Sequence, residues 1–170
     1  MGTIVGVPKM IGKTVPESLV GPTFPCPTEI RTDDPEGCPA FYGRVIKGVK
    51  NGVSPPWMQA RLKAAGQRPI SALVDITNYF TFALNRPLHV FDADKVKGGT
   101  LRIHPAQGGE ELLALDGKTY TLQPGMMLIS DDDQPESLAG IMGGELSGCS
   151  PDTTEFILES AYWDPMTIAA

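Results

Sequence analysis

The clearest hydrophobic pattern in the chain lies between residues 68 and 92. Ser71 is a suitable N-cap there, Asn85 can take the left-handed conformation that ends a helix, and Pro87 prevents continuation. The pattern therefore predicts a buried helix over residues 72–84, although its β-branched residues leave a strand possible. The apolar or half-apolar positions recur at the three- and four-residue intervals of one helix face: Ile70, Leu73, Val74, Thr77, Phe80, Thr81 and Leu84.

Two shorter elements are predicted before this helix. Residues 40–49 alternate loosely and are rich in β-forming side chains, which predicts a strand. Ser54 and the two prolines after it predict a helix with Ser54 as its cap and Pro55 at its first position. This helix is expected to end at Gly66. Its predicted buried side consists of Met58, Leu62 and Ala65.

Residues 1–37 contain six prolines and show little periodicity. This composition predicts an extended lead-in or linker that packs along the rest of the chain. We therefore expect a single domain to span residues 38–170.

From residue 100 onward the period of the pattern changes to two, which predicts short strands. Leu101 and Ile103 alternate in the first strand. Residues 112–115 and 119–122 flank an Asp-Gly pair, which is a strong hairpin signal. Residues 126–130 predict a further strand, followed by a loop over 131–136.

Two final strands complete this region. Residues 137–142 predict a strand that contains Gly140 and ends at two further glycines, and a glycine inside a strand marks a bulge or a close approach to the backbone. The last predicted strand, residues 156–161, is apolar apart from Glu159. The order of elements predicts an α+β fold, with two early helices packed on a layered, mostly antiparallel or mixed β-structure.

Composition narrows the class of protein. The chain carries 14 basic and 20 acidic residues, a net charge of −6, so its average surface does not favour a nucleic-acid backbone. No apolar run predicts a membrane span and no N-terminal segment predicts secretion, so we expect a cytoplasmic protein. Three cysteines without metal-ligand spacing, Cys26, Cys38 and Cys149, are typical of reduced thiols.

Few residues carry candidate chemistry. His89 can act as a general base, a water-positioning group or a structural histidine, and taken alone it favours the structural role. Asp92 can fix the histidine tautomer or cap the next turn. Glu159 either faces solvent or is buried in the last strand, where a charge needs a partner. Gly140 and the Gly143-Gly144 pair either admit a ligand to the backbone or make turns, and composition alone favours turns.

Familiar motifs are absent from the sequence. The segment 144–148 places its serine one position too late for a nucleophile elbow. Asp131, Asp132 and Asp133 lack the spacing of a calcium loop. His89 and His104 have no cysteine near them in the sequence, so no zinc site is predicted.

Six segments of the chain form an ordered set of motifs: CPAFYGRVIKGV (38–49), SPPWMQARLKAAGQRPISALVDITNY (54–79), RPLHVFD (86–92), LALDG (113–117), LAGIMGGE (138–145) and LESAYWDP (158–165). Taken together, these motifs resemble one family, the B3/B4 region of the bacterial phenylalanyl-tRNA synthetase β subunit. The resemblance covers roughly residues 26–170.

The resemblance implies a proofreading activity, the hydrolysis of mischarged Tyr-tRNA(Phe) to tyrosine and tRNA(Phe). Two departures from the family, Asn85-Arg86 before the proline and Val90 after the histidine, remove no functional group. The implied site consists of Thr77, Asn78 and His89 near the ester or terminal adenosine, and Gly140, Glu159 and Ala161 around the amino acid. The carboxylate of Glu159 is implied as the acceptor for the tyrosine phenol.

The resemblance also implies the partners and cofactors. Editing needs neither a metal nor a cofactor, whereas ATP and Mg²⁺ serve aminoacylation in the parent synthetase. The implied partners are tRNA(Phe), tyrosine or phenylalanine, the synthetase α subunit and the other β-subunit domains of a heterotetramer. The alternative is a non-catalytic module that packs within the synthetase or only binds tRNA.

Overall fold

The computed structural model describes residues 24–169 and has the α+β architecture that the sequence predicts. The helices are α1 (Pro56–Ala64), α2 (Ala72–Leu84) and α3 (Pro165–Ala169). The strands are β1 (Glu29–Thr32), β2 (Ala40–Lys47), β3 (His89–Asp92), β4 (Thr100–Pro105), β5 (Glu111–Leu113), β6 (Thr119–Thr121), β7 (Met127–Ser130), β8 (Pro135–Leu138), β9 (Met142–Gly143) and β10 (Glu155–Tyr162).

The strands of the described region form two sheets and a separate hairpin. One sheet has the order β1-β4-β7-β8-β9, in which β1 and β4 are parallel and the other neighbours are antiparallel. The second sheet has the antiparallel order β2-β10-β3, and β5 pairs with β6. The predicted Asp-Gly hairpin is confirmed, with Gly117 at a φ of +78° in its loop.

The largest core lies between the two sheets. Phe91 and Ile157 from the three-stranded sheet pack there with Leu101 and Ile129 from the five-stranded sheet. Because side chains alternate across a strand, the residues next to Phe91 on β3 and next to Ile157 on β10 face away from this core. That opposite face is covered by α2, whose Leu73 packs on Val90 and Phe156. The three-stranded sheet is therefore sandwiched between a helix and a second sheet.

The predicted helix over residues 72–84 is confirmed, and its ends show how it is fixed. Asn85 takes the left-handed conformation, with a φ of 52°. Ser71 stands at the N-cap but makes no capping hydrogen bond with its side chain. The Leu73 amide instead donates to Oδ1 of Asn51, at 3.2 Å. The first turn is thus capped from a distant loop, which sequence periodicity does not reveal.

The first helix begins one residue later than predicted, with Pro55 rather than Ser54 at the N-cap. The Ser54 hydroxyl instead donates to the buried carboxylate of Asp75 in α2. Met58 and Leu62 are buried as predicted, whereas Ala65 is exposed. Ser54 was therefore a poor guide to the helix start because its side chain joins the two helices.

The predicted strand over residues 137–142 is wrong. A turn divides it, closed by the Ile141 amide donating to the Leu138 carbonyl at 3.0 Å. Gly140 takes a φ of +69° at the third position of this turn, where an L-residue is strained. The loop expected over 131–136 is also shorter, because β8 begins at Pro135. Gly140 is a turn glycine and not a bulge.

Residues 24–37 are more structured than a linker. They contain β1, which pairs with β4 in register from Glu29 opposite Thr100 to Thr32 opposite Ile103. The rest of the predicted lead-in, residues 1–23, lies outside the part of the chain that the structure describes. No helix over residues 24–169 is long and apolar enough to cross a membrane.

Candidate functional site

His89 and Glu159 lie opposite each other on neighbouring antiparallel strands, β3 and β10. Opposed residues share one face of a sheet, with Cβ atoms typically about 4.5–5.5 Å apart. Phe91 and Ile157, two residues away on the same strands, belong to the core between the sheets. The imidazole and the carboxylate therefore face the space between the two sheets.

Glu159 is buried, which settles the question that the sequence left open. The whole residue is 7% exposed, and the Oε2 atom of its carboxyl has no hydrogen-bond partner. Burial raises the pKa of this carboxyl to about 7. An unpartnered buried carboxyl is costly. It is therefore available to a ligand, as an acceptor when ionised and as a donor when protonated.

His89 provides a second unpartnered polar atom. Its Nε2 is buried without a hydrogen-bond partner, although the residue as a whole is half-buried. The ring packs edge-on against Phe91, with centroids 4.5 Å apart and an interplanar angle of 79°. Burial lowers the pKa of the imidazole to about 4. The ring is therefore neutral at pH 7 and can orient a water or a carbonyl without carrying charge.

Two glycines shape this space, and neither was assigned to the site from the sequence. Gly143 of β9 lies so close to His89 that a Cβ there would be 2.7 Å from Nε2. Gly43 of β2 is the other neighbour of Glu159 in the sheet, and a Cβ there would overlap Ile30. In the sequence, the Gly143-Gly144 pair was the signal that could have indicated Gly143 as a site residue, but a turn explains such a pair equally well.

Gly140 and Ala161 lie at the edge of this arrangement. Ala161 is two residues beyond Glu159 on β10, so it shares its face, and it pairs with Phe41. Gly140 is exposed and approaches Trp163, where a Cβ would be 2.9 Å from Cδ1. Phe41 and Trp163 are in edge-to-face contact at 6.2 Å. An aromatic pair thus links these two predicted site residues.

Thr77 and Asn78 are not brought to the same face of the sheet. Both belong to α2, which covers the face opposite to His89 and Glu159. The Thr77 hydroxyl is used locally, donating to the carbonyl of Val74 at 2.8 Å. Asn78 is half-buried. Their predicted role at the ester or terminal adenosine remains a prediction.

Asp92 does not orient the His89 ring. It pairs with Phe156 on the face that α2 covers. Its carboxylate accepts the Thr153 hydroxyl at 2.6 Å and the Asp94 amide at 3.1 Å. Of the two roles considered for Asp92, the structure shows the capping of the next turn.

The thiol of Cys38, which lies near Glu159, is poorly suited to act as a nucleophile. Cys38 is buried in the core beside Glu159, and its pKa is raised to about 11 by burial and by the charge of Glu159. The thiolate form is therefore scarce at neutral pH. Within residues 24–169, no cluster of histidine, cysteine and carboxylate side chains is arranged to hold a metal ion. The groups that remain for chemistry at this site are the imidazole of His89 and the carboxyl of Glu159.

The chain is similar to known proteins over most of its length. It is 68% identical over 161 residues to the phenylalanine–tRNA ligase beta subunit of Cereibacter sphaeroides, covering 93% of this chain and 20% of that protein. The corresponding subunit of Novosphingobium aromaticivorans is 57% identical over 157 residues, covering 92% and 20%. The chain thus spans about a fifth of the length of these relatives.

The fold is similar to a solved structure as well. An N-terminal fragment of the phenylalanyl-tRNA synthetase beta subunit from Pyrococcus horikoshii matches with a TM-score of 0.56 and 13% identity, over 83% of this chain and 44% of the fragment. At that identity the likeness concerns the fold alone. The B3/4 domain matches residues 37–170. With most of its length matched, and with the fold in agreement, this chain belongs to the B3/4 domain family.

Proposed function

We propose that this chain is the editing region of a phenylalanine–tRNA ligase β subunit and hydrolyses Tyr-tRNA(Phe) to tyrosine and tRNA(Phe). The observation that supports the proposal most directly is Glu159, a buried carboxyl with an unpartnered oxygen opposite an unpartnered histidine nitrogen. A fold alone does not specify a function. The chemistry of these two groups does match the task.

The carboxylate of Glu159 suits the recognition of a phenol. Tyrosine and phenylalanine differ by one hydroxyl, and an apolar pocket discriminates weakly between them. A buried acceptor without a partner favours tyrosine, because phenylalanine would leave the acceptor unpaired. The ionised carboxylate is the stronger acceptor, and burial raises the pKa of this carboxyl to about 7. Selectivity for tyrosine should therefore increase as the pH rises through about 7.

His89 suits the positioning of the ester or of the attacking water. Its neutral ring offers Nε2 as a hydrogen-bonding atom that no protein group occupies. Water adds to the ester carbonyl, the bond to the ribose oxygen breaks, and a proton passes to that oxygen. Aminoacyl esters are already activated, so orientation and stabilisation of the oxyanion suffice without a strong base. Gly143 leaves room for the ring in this position.

The remaining partners follow from the same proposal. The site takes tRNA(Phe) carrying tyrosine or phenylalanine, and the rest of the ligase, including its α subunit, would supply the aminoacylation site. ATP and Mg²⁺ would act there and not in this region. The second candidate function is a non-catalytic structural or tRNA-binding module. It is favoured by the Thr77 hydroxyl, which is already used within α2, donating to the Val74 carbonyl.

The test is the hydrolysis of Tyr-tRNA(Phe) and Phe-tRNA(Phe) by the chain and by three variants. Glu159→Ala should weaken tyrosine binding roughly ten- to hundredfold and narrow the preference for the tyrosyl ester, because a charged hydrogen bond is worth about 1.5–3 kcal/mol. Glu159→Gln should have a milder effect, since its amide oxygen still accepts. His89→Ala should slow hydrolysis roughly tenfold to a thousandfold.

A matched control lies in the same strand. Glu155→Gln removes a carboxylate of β10 that pairs with Lys47 at 2.7 Å, and it should leave both hydrolysis rates unchanged. If folded Glu159→Ala keeps the selectivity of the parent chain, Glu159 does not read the hydroxyl. If the parent chain itself fails to hydrolyse Tyr-tRNA(Phe), the structural module is the better description.

A further inference from the structure

A partly exposed cluster of aromatic and arginine side chains lies on α1 and α2, with Trp57 and Arg61 exposed and Tyr79 half-buried. Trp57 and Tyr79 meet edge to face, with ring centroids 5.4 Å apart. The Arg61 guanidinium lies 5.5 Å from the Trp57 ring and 5.9 Å from the Tyr79 ring, and it donates to the Tyr79 hydroxyl at 2.7 Å. We call these three residues the aromatic–arginine cluster.

The cluster is not explained by packing within the chain. Trp57 is 52% exposed, so about half of its surface remains in contact with solvent. Ile76 and Phe80, which lie three positions before and one position after Tyr79 on α2, are exposed as well. Arg61 is held against two rings by a phenol and not by a carboxylate. The positive charge and the aromatic faces are therefore both presented outward.

The segment of the chain that carries the cluster is basic, whereas the chain as a whole is acidic. Residues 38–91 contain a single carboxylate, Asp75, which is 1% exposed and accepts hydrogen bonds from Ser54 and from the Ile70 amide. The same stretch holds seven of the 14 basic residues: Arg44, Lys47, Lys50, Arg61, Lys63, Arg68 and Arg86. A chain with a net charge of −6 thus contains a basic segment, residues 38–91, which includes α1.

We propose that the aromatic–arginine cluster stacks unpaired bases of a single-stranded RNA segment, while the exposed Arg68, in the loop that joins α1 to α2, contacts its phosphates. Unpaired bases stack on aromatic rings and on guanidinium planes, and the backbone follows positive charge. The inference rests on the proposed function only in taking this RNA to be the unpaired 3′ end of a tRNA.

The binding test uses a fluorescein-labelled, unstructured 12-nucleotide RNA at low salt, with a duplex RNA of equal length for comparison. Trp57→Leu keeps apolar bulk but removes the ring, and should weaken binding of the single strand roughly five- to hundredfold. The matched control is Tyr120→Leu, which removes an exposed ring from the β5–β6 hairpin and should not change the affinity. Thermal unfolding of each variant verifies that it is folded.

Charge is tested separately. Arg68→Ala should reduce the slope of log affinity against log salt by about 0.7, the value for one phosphate contact on a single strand. Lys118→Ala, an exposed lysine of the hairpin loop, should leave the slope unchanged. Quenching of Trp57 fluorescence on RNA addition provides a direct signal of stacking, obtained as the difference between the parent chain and Trp57→Leu.

Equal affinities of Trp57→Leu and Tyr120→Leu would overturn the proposal, and would leave a polypeptide segment as the occupant of this surface. Absence of RNA binding by the parent chain at low salt would overturn it as well. The proposed editing function fails independently, through unchanged selectivity in Glu159→Ala. RNA binding that depends on Trp57, without any ester hydrolysis, would therefore support the RNA surface and reject the editing site.

Discussion

The buried carboxyl of Glu159 should make the stability of the chain depend on pH in a direction unusual for a glutamate. Replacing it with glutamine keeps the shape and the burial of the side chain but removes its ionisation. Burial raises the pKa of the native carboxyl from the ordinary 4.5 to about 7. The unfolded chain therefore releases this proton at a lower pH than the folded chain does.

The direction and the size of this pH dependence follow from the linkage between proton binding and folding. Below pH 4.5 the carboxyl is protonated in both states, and the full stability is present. As the pH rises to about 7, the unfolded state ionises first, and stability is lost. The pKa difference corresponds to about 3 kcal/mol, since one unit is worth about 1.4 kcal/mol. Glu159→Gln should therefore match the parent chain at pH 4 and exceed its free energy of unfolding by up to about 3 kcal/mol at pH 8.

The assay is urea unfolding at a series of pH values, with the free energy of unfolding plotted for each protein. Glu155→Gln is the control, because its parent carboxylate pairs with Lys47 near the surface and removal should shift stability by less than about 1 kcal/mol. Parallel curves for the parent chain and Glu159→Gln would refute the reasoning. A less stable variant at pH 8 would show that the carboxylate has a stabilising partner.

Three further changes test the same region and the helix beside it. His89→Asn should lose less stability than the parent chain as the pH falls from 6.5 to 4, because burial lowers the pKa of the parent imidazole to about 4 and charging the ring then disfavours the folded state. This comparison uses the slopes of urea-derived stability. Gly143→Ala should displace the His89 ring and slow ester hydrolysis at least tenfold, which single-turnover kinetics would detect. Asn85→Ala should destabilise the chain by about 1 kcal/mol and Asn85→Gly should not, as read from thermal midpoints, since the residue has a φ of 52°.

Local signals predicted α2 and the hairpin well and α1 apart from its first residue, whereas α3 was not predicted and elements that depend on distant residues were predicted poorly. The helix over residues 72–84 is marked by its period and by Asn85, both of which are properties of adjacent residues. Its N-terminal cap comes from Asn51, which no short-range rule connects with the helix. The strand β1 was missed for a similar reason, because its pairing with β4 joins residues about seventy positions apart.

The residues of the candidate site also differ in whether adjacent residues or only the fold could indicate their role. A lone carboxylate in an apolar strand marked Glu159 as unusual, but only the fold could decide between burial and exposure. The register of β3 and β10 then places His89 opposite to it, which the sequence could not show. Gly143 was considered as a place where a ligand approaches the backbone, but its position beside His89, which belongs to a distant strand, could not be predicted. Periodicity located the helix that carries Thr77, but the sheet face that this helix covers depends on the topology.

The parallel pairing of β1 with β4 has a practical consequence for anyone who shortens the chain. The family match begins at residue 37, after β1 has ended. A chain cut there would leave one side of β4 without hydrogen-bonding partners, and an unprotected sheet edge invites association with other chains. It would also lose Ile30, which fills the space beside Gly43. A soluble truncation should therefore begin before residue 29, even though the recognisable part of the family begins later.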